Sequence, residues 1–212
     1  MVLDAIATPG NASATLSWNA ARTCHVPVAS YHISGQPGNG ARDVPATATG
    51  ATITGLQNGT TYVFTVTAIN ADGQDSLTTN AVSPYTVPSA PTGVTATPAS
   101  SSAVVTWTAA NNGGRPIVAY RITPYVNGQA LAPVTFAQTN TTEVVGGLTN
   151  GVNYTFVVVA ISTGATGTPS AASNTVTPSA NLRPAAQQQQ VASPPVRTGA
   201  TQSSPATNPT PR

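Results

Sequence analysis

The sequence is poor in charged residues. Asp, Glu, Lys and Arg make up 6% of the 212 residues, against about 25% in an average soluble protein. None of them is Lys, and the formal net charge is +2. Proteins that bind nucleic acid neutralise several phosphates with Lys and Arg. The sequence has no such basic stripe, so we expect no nucleic-acid partner and a surface solvated mainly by Thr, Ser, Asn and Gln.

Cysteine and long apolar runs are also scarce. Cys24 is the only cysteine, so no disulfide can form within the chain. A membrane-spanning helix needs about 18 or more consecutive apolar residues, and no run of that kind occurs. The N-terminus has neither a basic segment nor an apolar stretch, and we expect no signal peptide in this chain.

Groups that carry catalysis are few and scattered. The five acids and two histidines lie in different predicted loops and strands, and no nucleophile elbow, phosphate loop or zinc-binding helix motif is present. Asp72 and Asp75 form the nearest carboxylate pair, in what we interpret as a solvated turn, since Ca²⁺ takes about six or more oxygens. His32 should face outward, and no second cysteine accompanies Cys24 and His25 to make a zinc site. We therefore predict no enzyme activity, no catalytic residue, no metal site and no cofactor.

The most informative feature that is present is an internal repeat. The segment 56–68 (LQNGTTYVFTVTA) returns as 148–160 (LTNGVNYTFVVVA). In each copy an Asn-Gly turn precedes a run in which Tyr, Phe, Val and Ala alternate with other residues, which predicts a strand with one face on a core. A buried Tyr needs a partner for its hydroxyl, and Tyr62 and Tyr154 are placed to bond the backbone upstream. That arrangement is the tyrosine corner of immunoglobulin-like sandwiches.

Short alternating runs separated by Gly, Pro, Asn and Ser indicate an all-β fold. Seven strands are predicted in each copy, and about seven short strands in a unit of this size is the count of a β-sandwich. The predicted strands are 2–8, 14–19, 29–35, 41–44, 51–55, 61–70 and 78–85 in the first copy, and 92–97, 103–108, 117–126, 131–136, 142–146, 152–162 and 174–178 in the second.

The two copies share further residues. Each has a Trp in its second strand, a Tyr in its third and Tyr-x-Phe-x-Val-x-Ala in its sixth, and the chain also contains the linker 88–94 (PSAPTGV) and the loop 111–116 (NNGGRP). On these residues both copies resemble fibronectin type III domains of the bacterial type, for which that linker and that loop are also typical. The resemblance implies two tandem immunoglobulin-like sandwiches, at residues 1–86 and 87–178. Its structural residues are Trp18, Tyr31, Tyr62, Trp107, Tyr120 and Tyr154.

The connections outside the two copies differ in character. Pro84, Pro88 and Pro91 lie within eight residues, so we expect the sandwiches to sit end to end with restricted bending. Residues 179–212 are rich in Pro, Gln, Ser and Thr, a composition that predicts a disordered tail because it offers little to bury.

These features favour a non-catalytic extracellular or cell-surface spacer or interaction module, monomeric, whose partner is a protein or polysaccharide surface. The resemblance supplies an alternative, because bacterial domains of this type accompany polysaccharide-degrading enzymes. The chain would then be an accessory, carbohydrate-binding part of a secreted hydrolase. Sugar binding on a sheet needs exposed rings, and Tyr125 and Phe136 are the candidate ligand platform if they meet across neighbouring strands. The competing interpretation is that these rings cover a sandwich edge.

Overall fold

The computed structural model describes residues 3–21, 26–38 and 41–182. Within them the chain is all-β and contains no helix, in agreement with the predicted fold class. Consequently the described part holds no helix long and apolar enough to cross a membrane. Cys24, His25 and the larger part of the predicted tail, residues 183–212, lie outside the described residues.

The described residues of the first domain form seven strands in two antiparallel sheets. The strands are β1 Leu3–Gly10, β2 Ser13–Asn19, β3 Ser30–Gln36, β4 Arg42–Pro45, β5 Gly50–Thr54, β6 Val63–Asn70 and β7 Gly73–Thr78. One sheet has the order β1-β2-β5, and the other has the order β4-β3-β6-β7. The two inner faces enclose a core of alternating side chains that includes Leu16, Ile33, Phe64 and Val66.

The second domain repeats this arrangement, except that its described residues form eight strands, because two short strands, 129–130 and 134–136, stand where one strand at 131–136 was predicted. Its strands are β8 Thr92–Ala99, β9 Ser102–Thr108, β10 Ile117–Val126, β11 Gln129–Ala130, β12 Val134–Phe136, β13 Thr142–Gly146, β14 Thr155–Ser162 and β15 Ala165–Pro169. One sheet has the order β13-β9-β8. In the other the order is β11-β10-β14-β15, and β12 also pairs with β10. A separate core lies between them, with Val105, Ile122, Phe156 and Val158 fully buried.

The last strand of each copy was predicted too late in the chain. The predicted ranges are 78–85 and 174–178, whereas the strands observed are β7 and β15. In the first domain a two-residue turn returns the chain at once, so that Asn70 pairs with Gly73. The predicted ranges instead touch the sixth strand's start through single bridges, between Tyr62 and Val82 and between Tyr154 and Val176.

The linker is hydrogen-bonded to both domains. Pro84 O accepts from Gly59 N at 2.9 Å, and Tyr85 N donates to Gly10 O at 3.0 Å, so this end of the linker belongs to the first domain. Three residues further along, Pro88 O accepts from Thr168 N of the second domain at 3.2 Å.

Candidate functional site

The tyrosine at the start of each sixth strand closes the preceding turn. The Tyr62 hydroxyl accepts a hydrogen bond from Gln57 N at 3.1 Å, and the Tyr154 hydroxyl accepts one from Thr149 N at 3.0 Å. Both rings are buried. These are the upstream backbone bonds that the repeat predicts, with the hydroxyl as acceptor, and they hold the turn against the strand that follows it.

A second aromatic pair fills the middle of each core. The Trp18 and Tyr31 ring centroids are 5.5 Å apart, and those of Trp107 and Tyr120 are 5.0 Å apart, both inclined edge to face. Such tilted contacts are the favoured geometry for aromatic pairs. The Tyr31 hydroxyl also accepts from Ala21 N at 2.9 Å. Six of the large rings are therefore used in packing the two cores.

Two asparagines that the sequence did not single out as site residues join the sheets. Asn80 accepts from Ala7 N at 2.9 Å and donates to Ala7 O at 3.0 Å. Asn174 makes the same pair of bonds to Ala96, at 2.8 and 2.9 Å. Each side-chain amide thus forms the pair of hydrogen bonds that a neighbouring strand would form. It pairs one backbone N–H and one C=O on the edge of the first strand of its domain. The only sequence signal is an Asn-x-Val pattern that repeats at the end of both copies.

Hydroxyls complete the sixth strand where its neighbour leaves the sheet. Thr79 Oγ1 accepts from Phe64 N at 3.2 Å, and Ser173 Oγ accepts from Phe156 N at 3.0 Å. In the second domain Ser170 Oγ also accepts from Val158 N at 2.9 Å. The backbone N–H of each of these residues still donates to the sixth strand, as Thr79 N does to Phe64 O at 2.8 Å. The hydroxyl therefore supplies only the missing acceptor for the strand's own N–H, because a buried N–H needs a partner.

The structure does not bring the two rings of the predicted ligand platform together. Phe136 pairs with Tyr120 in the register of β10 and β12, so its ring lies on the inner face and packs against the core. Tyr125 is five positions further along β10 and pairs with Ala130, which places it on the outer face. An odd separation along a regular strand puts two side chains on opposite faces. Tyr125 is half-buried and remains the one candidate on the outer face.

Within the described residues the acidic and histidine side chains form one close pair, His32 with Asp43, and no larger group. Asp72 is exposed in the turn before β7, where its N–H donates to Asn70 Oδ1 at 3.0 Å. His32 faces outward, and its Nδ1 lies 2.6 Å from Asp43 Oδ1 on β4. Among the described residues no three His, Cys, Asp or Glu side chains are grouped as a metal site.

One cleft of about 610 Å³ opens beside the first domain's core. It is lined by Asp4, Ala5, Ile6, Ser17, Trp18, Asn19 and Leu77. Two of its three polar side chains face each other, since Asn19 Nδ2 donates to Asp4 Oδ2 at 3.4 Å. The Trp18 indole nitrogen is buried and has no hydrogen-bond partner among the described residues, but Trp107 of the second domain is in the same state. The unpaired nitrogen is therefore a feature of the repeated fold and does not mark a ligand site.

Comparison with known proteins agrees with this geometry. The family model described as fibronectin type III domain matches residues 3–83 and 89–176. Among curated proteins, the chain is similar to Chitinase A1 of Niallia circulans, with 38% identity over 188 residues. The match covers 79% of this chain and 25% of that protein, so the chain spans about a quarter of its length.

Two solved structures are similar to this chain at low sequence identity, and the first of them shows the same fold. Domains A168–A170 of titin superpose with a TM-score of 0.53 at 18% identity, covering 81% of this chain and 61% of that one. A two-domain fibronectin type III segment from chicken tenascin gives a TM-score of 0.44 at 19% identity, covering 83% of this chain and 98% of that one.

Proposed function

The chain belongs to the fibronectin type III family, and from this membership we propose that it acts as a non-catalytic, monomeric spacer in an extracellular or cell-surface protein. Its work is to set the distance and orientation between whatever it joins. The observation that carries this proposal is the linker, which is hydrogen-bonded to the first domain at Pro84 and Tyr85 and to the second at Pro88.

The way the two domains use their side chains supports the same role. Large aromatic side chains lie in the two cores, where Tyr31, Tyr120, Phe64 and Phe156 are fully buried. Polar side chains with defined bonds, such as Asn80 and Asn174, join the sheets of each domain. A spacer needs stable units of fixed shape, and these interactions provide them.

A second candidate function rests on the similarity to Chitinase A1. We propose it as the alternative: the chain is an accessory part of a polysaccharide-degrading enzyme and contacts the insoluble substrate. Tyr125 is the side chain to carry that contact, because its ring lies on the outer face of β10 beside Thr155 of β14. Aromatic rings on sheet surfaces are suited to stacking on sugar rings, since they offer a large, rigid apolar face.

Retention on insoluble chitin and cellulose distinguishes the two functions. The full chain is mixed with each polymer, and the protein that remains in solution is measured. The spacer role predicts no depletion beyond that of an unrelated protein of similar size. Depletion that falls in Tyr125→Ala, and is unchanged in the core-facing control Phe136→Leu, would instead support the accessory role.

A further inference from the structure

The loop between β9 and β10 lies directly against the first domain. Gly113 O accepts a hydrogen bond from Thr86 N of the linker at 2.8 Å, and Asn111 O accepts one from Ser89 N at 3.0 Å. In return, Asn111 N donates to Ser89 Oγ at 2.9 Å. The loop thus binds the linker by three hydrogen bonds within a few residues.

The two glycines of this loop allow its backbone to approach the first domain more closely than any side chain would permit. A Cβ on Gly114 would lie 2.5 Å from Gly59 N and 2.9 Å from Asn58 C, both in the Asn-Gly turn before Tyr62. A Cβ on Gly113 would lie 2.4 Å from Thr86 O. The φ angles of Gly113 and Gly114 are 68° and 97°, which other residues rarely adopt.

Side chains on both sides reinforce this contact. The Asn111 and Asn112 side chains accept from Gly113 N and Gly114 N, each at 2.9 Å, and so hold the loop in shape. The guanidinium carbon of Arg115 lies 3.4 Å from the centre of the Tyr85 ring, a cation–π contact. Tyr85 is bonded to the first domain through its N–H, whereas Arg115 donates to Thr163 O of the second domain at 3.1 Å. The cation–π contact therefore joins groups fixed in different domains.

We propose that the segment Asn111–Arg115 is a domain-docking element. Its partner is the Asn-Gly turn of the preceding domain together with the Tyr that follows that domain's last Pro. Docking makes the two domains one rigid body, so the orientation between them is set by this loop and does not depend on linker prolines alone. The corresponding loop of the first copy has Cys24 and His25 at the positions of Gly113 and Gly114. This difference is consistent with a docking role that is specific to the loop of the second copy.

The chain contains matched controls for this proposal. Gly59 and Gly151 occupy equivalent turns with φ angles of 84° and 83°, and each N–H donates to the equivalent Pro carbonyl at 2.9 Å. An added Cβ would lie 3.1 Å from Gly114 Cα at Gly59, and would meet nothing within 4 Å at Gly151. Gly59→Ala and Gly151→Ala should therefore destabilise their turns equally, because both place a side chain at a positive φ angle. Only Gly59→Ala also disturbs the contact between the domains. Gly128 likewise has a positive φ and open space, and is the control for Gly114.

Pulsed dipolar spectroscopy on the full chain tests the proposal. Spin labels are placed at exposed Thr52 and Thr135, one in each domain, in a Cys24→Ser background. We expect a single narrow distance distribution that becomes broader and shifts in Gly114→Ala, Gly59→Ala and Tyr85→Ala. It should stay narrow in Gly128→Ala, Gly151→Ala and Tyr85→Phe, the last of which keeps the ring.

Two results would overturn the docking element. One is a distance distribution for the unsubstituted chain that is already as broad as that of Gly114→Ala. The other is that each docking variant and its matched control give the same distance distribution. If Gly114→Ala fails to fold, Gly59→Ala and Tyr85→Ala still apply, because they change the other domain. The domain-docking element would hold the two domains together whether or not the chain is a spacer. The distance measurement and the polymer-binding measurement can therefore fail independently.

Discussion

Removing one hydroxyl, in Tyr154→Phe, should destabilise the second domain measurably. The Tyr154 ring is 5% exposed, and its hydroxyl is 3.0 Å from Thr149 N. The substitution keeps the ring contact with Phe156, whose centroid is 6.4 Å away, and leaves one N–H without its acceptor. An unsatisfied buried donor costs about 1–3 kcal/mol. Thr149 itself lies in an exposed turn where water reaches part of the site, so we expect roughly 1–2 kcal/mol, the lower part of that range.

The measurement should report on the second domain alone, because a two-domain chain need not unfold in one step. Trp18 belongs to the first core and Trp107 to the second, so a Trp18→Phe background leaves Trp107 fluorescence as the probe. In urea the midpoint should fall while the slope stays constant. On heating, a loss of about 1 kcal/mol lowers the Tm of a domain of this size by roughly 4–8 °C.

The matched control is Tyr125→Phe, which removes a hydroxyl in the same domain from the half-buried outer face. No hydrogen bond to the Tyr125 hydroxyl is formed by any residue that the structure describes. Its Tm should stay within the error of the unmodified chain. Equal effects of Tyr154→Phe and Tyr125→Phe would refute the reasoning, since the corner bond would then contribute nothing specific.

Three further substitutions test the packing and the bonds between sheets. Asn174→Ala removes two hydrogen bonds to Ala96 and should lower the free energy of unfolding by about 2 kcal/mol, at about 1 kcal/mol per bond. Amide-exchange protection in β8 should be lost as well, and unchanged protection would contradict this prediction. Asn80→Ala should do the same in β1 while sparing β8, and exchange in both strands can be read from one spectrum. Phe156→Ala, at a fully buried site, should cost about 3–5 kcal/mol by denaturant titration; a loss below 1 kcal/mol, roughly that of a surface change, would show that the site is not close-packed.

Sequence periodicity predicted the parts of the fold in which side chains alternate. The sixth strand is the clearest case, since Phe64, Val66 and Ala68 fall on one face and are all buried in the structure. The turn before this strand was equally readable, because its Asn-Gly pair recurs with the Tyr that bonds the turn.

The errors occur where side chains replace backbone pairing. Alternating residues in the segments after β7 and β15 predict strands, but there hydroxyls such as those of Thr79 and Ser173 bond N–H groups of the neighbouring strand. A hydroxyl can satisfy a buried N–H without any signature in the periodicity. The roles of Asn80 and Asn174 could not be predicted either, because the repeated Asn-x-Val pattern does not indicate which distant strand the Asn side chain bonds.

The prediction of a ligand platform depended on the register between the strands that carry Tyr125 and Phe136. The alternation of apolar and polar residues within each strand does not determine that register. Tyr125 and Phe136 lie on adjacent strands, and a shift of one residue between those strands exchanges the faces. The hairpin turn at 127–128 pairs Tyr125 with Ala130, and the later strand then pairs Phe136 with Tyr120. The domain contact was also inaccessible from the sequence, although the Asn-Asn-Gly-Gly loop that makes it was recognised as a family feature.

Residual dipolar couplings of the backbone amides, measured on the unmodified chain in a weakly aligning medium, test the central claim most directly. Couplings from β1–β7 and from β8–β15 each define an alignment tensor for one domain. If the linker and the loop 111–115 hold the domains as one body, the two tensors will have the same magnitude and shape and will share axes in the structure. Tensors of clearly different magnitude would show that the domains move independently, and would contradict the account of this chain as a spacer of fixed geometry.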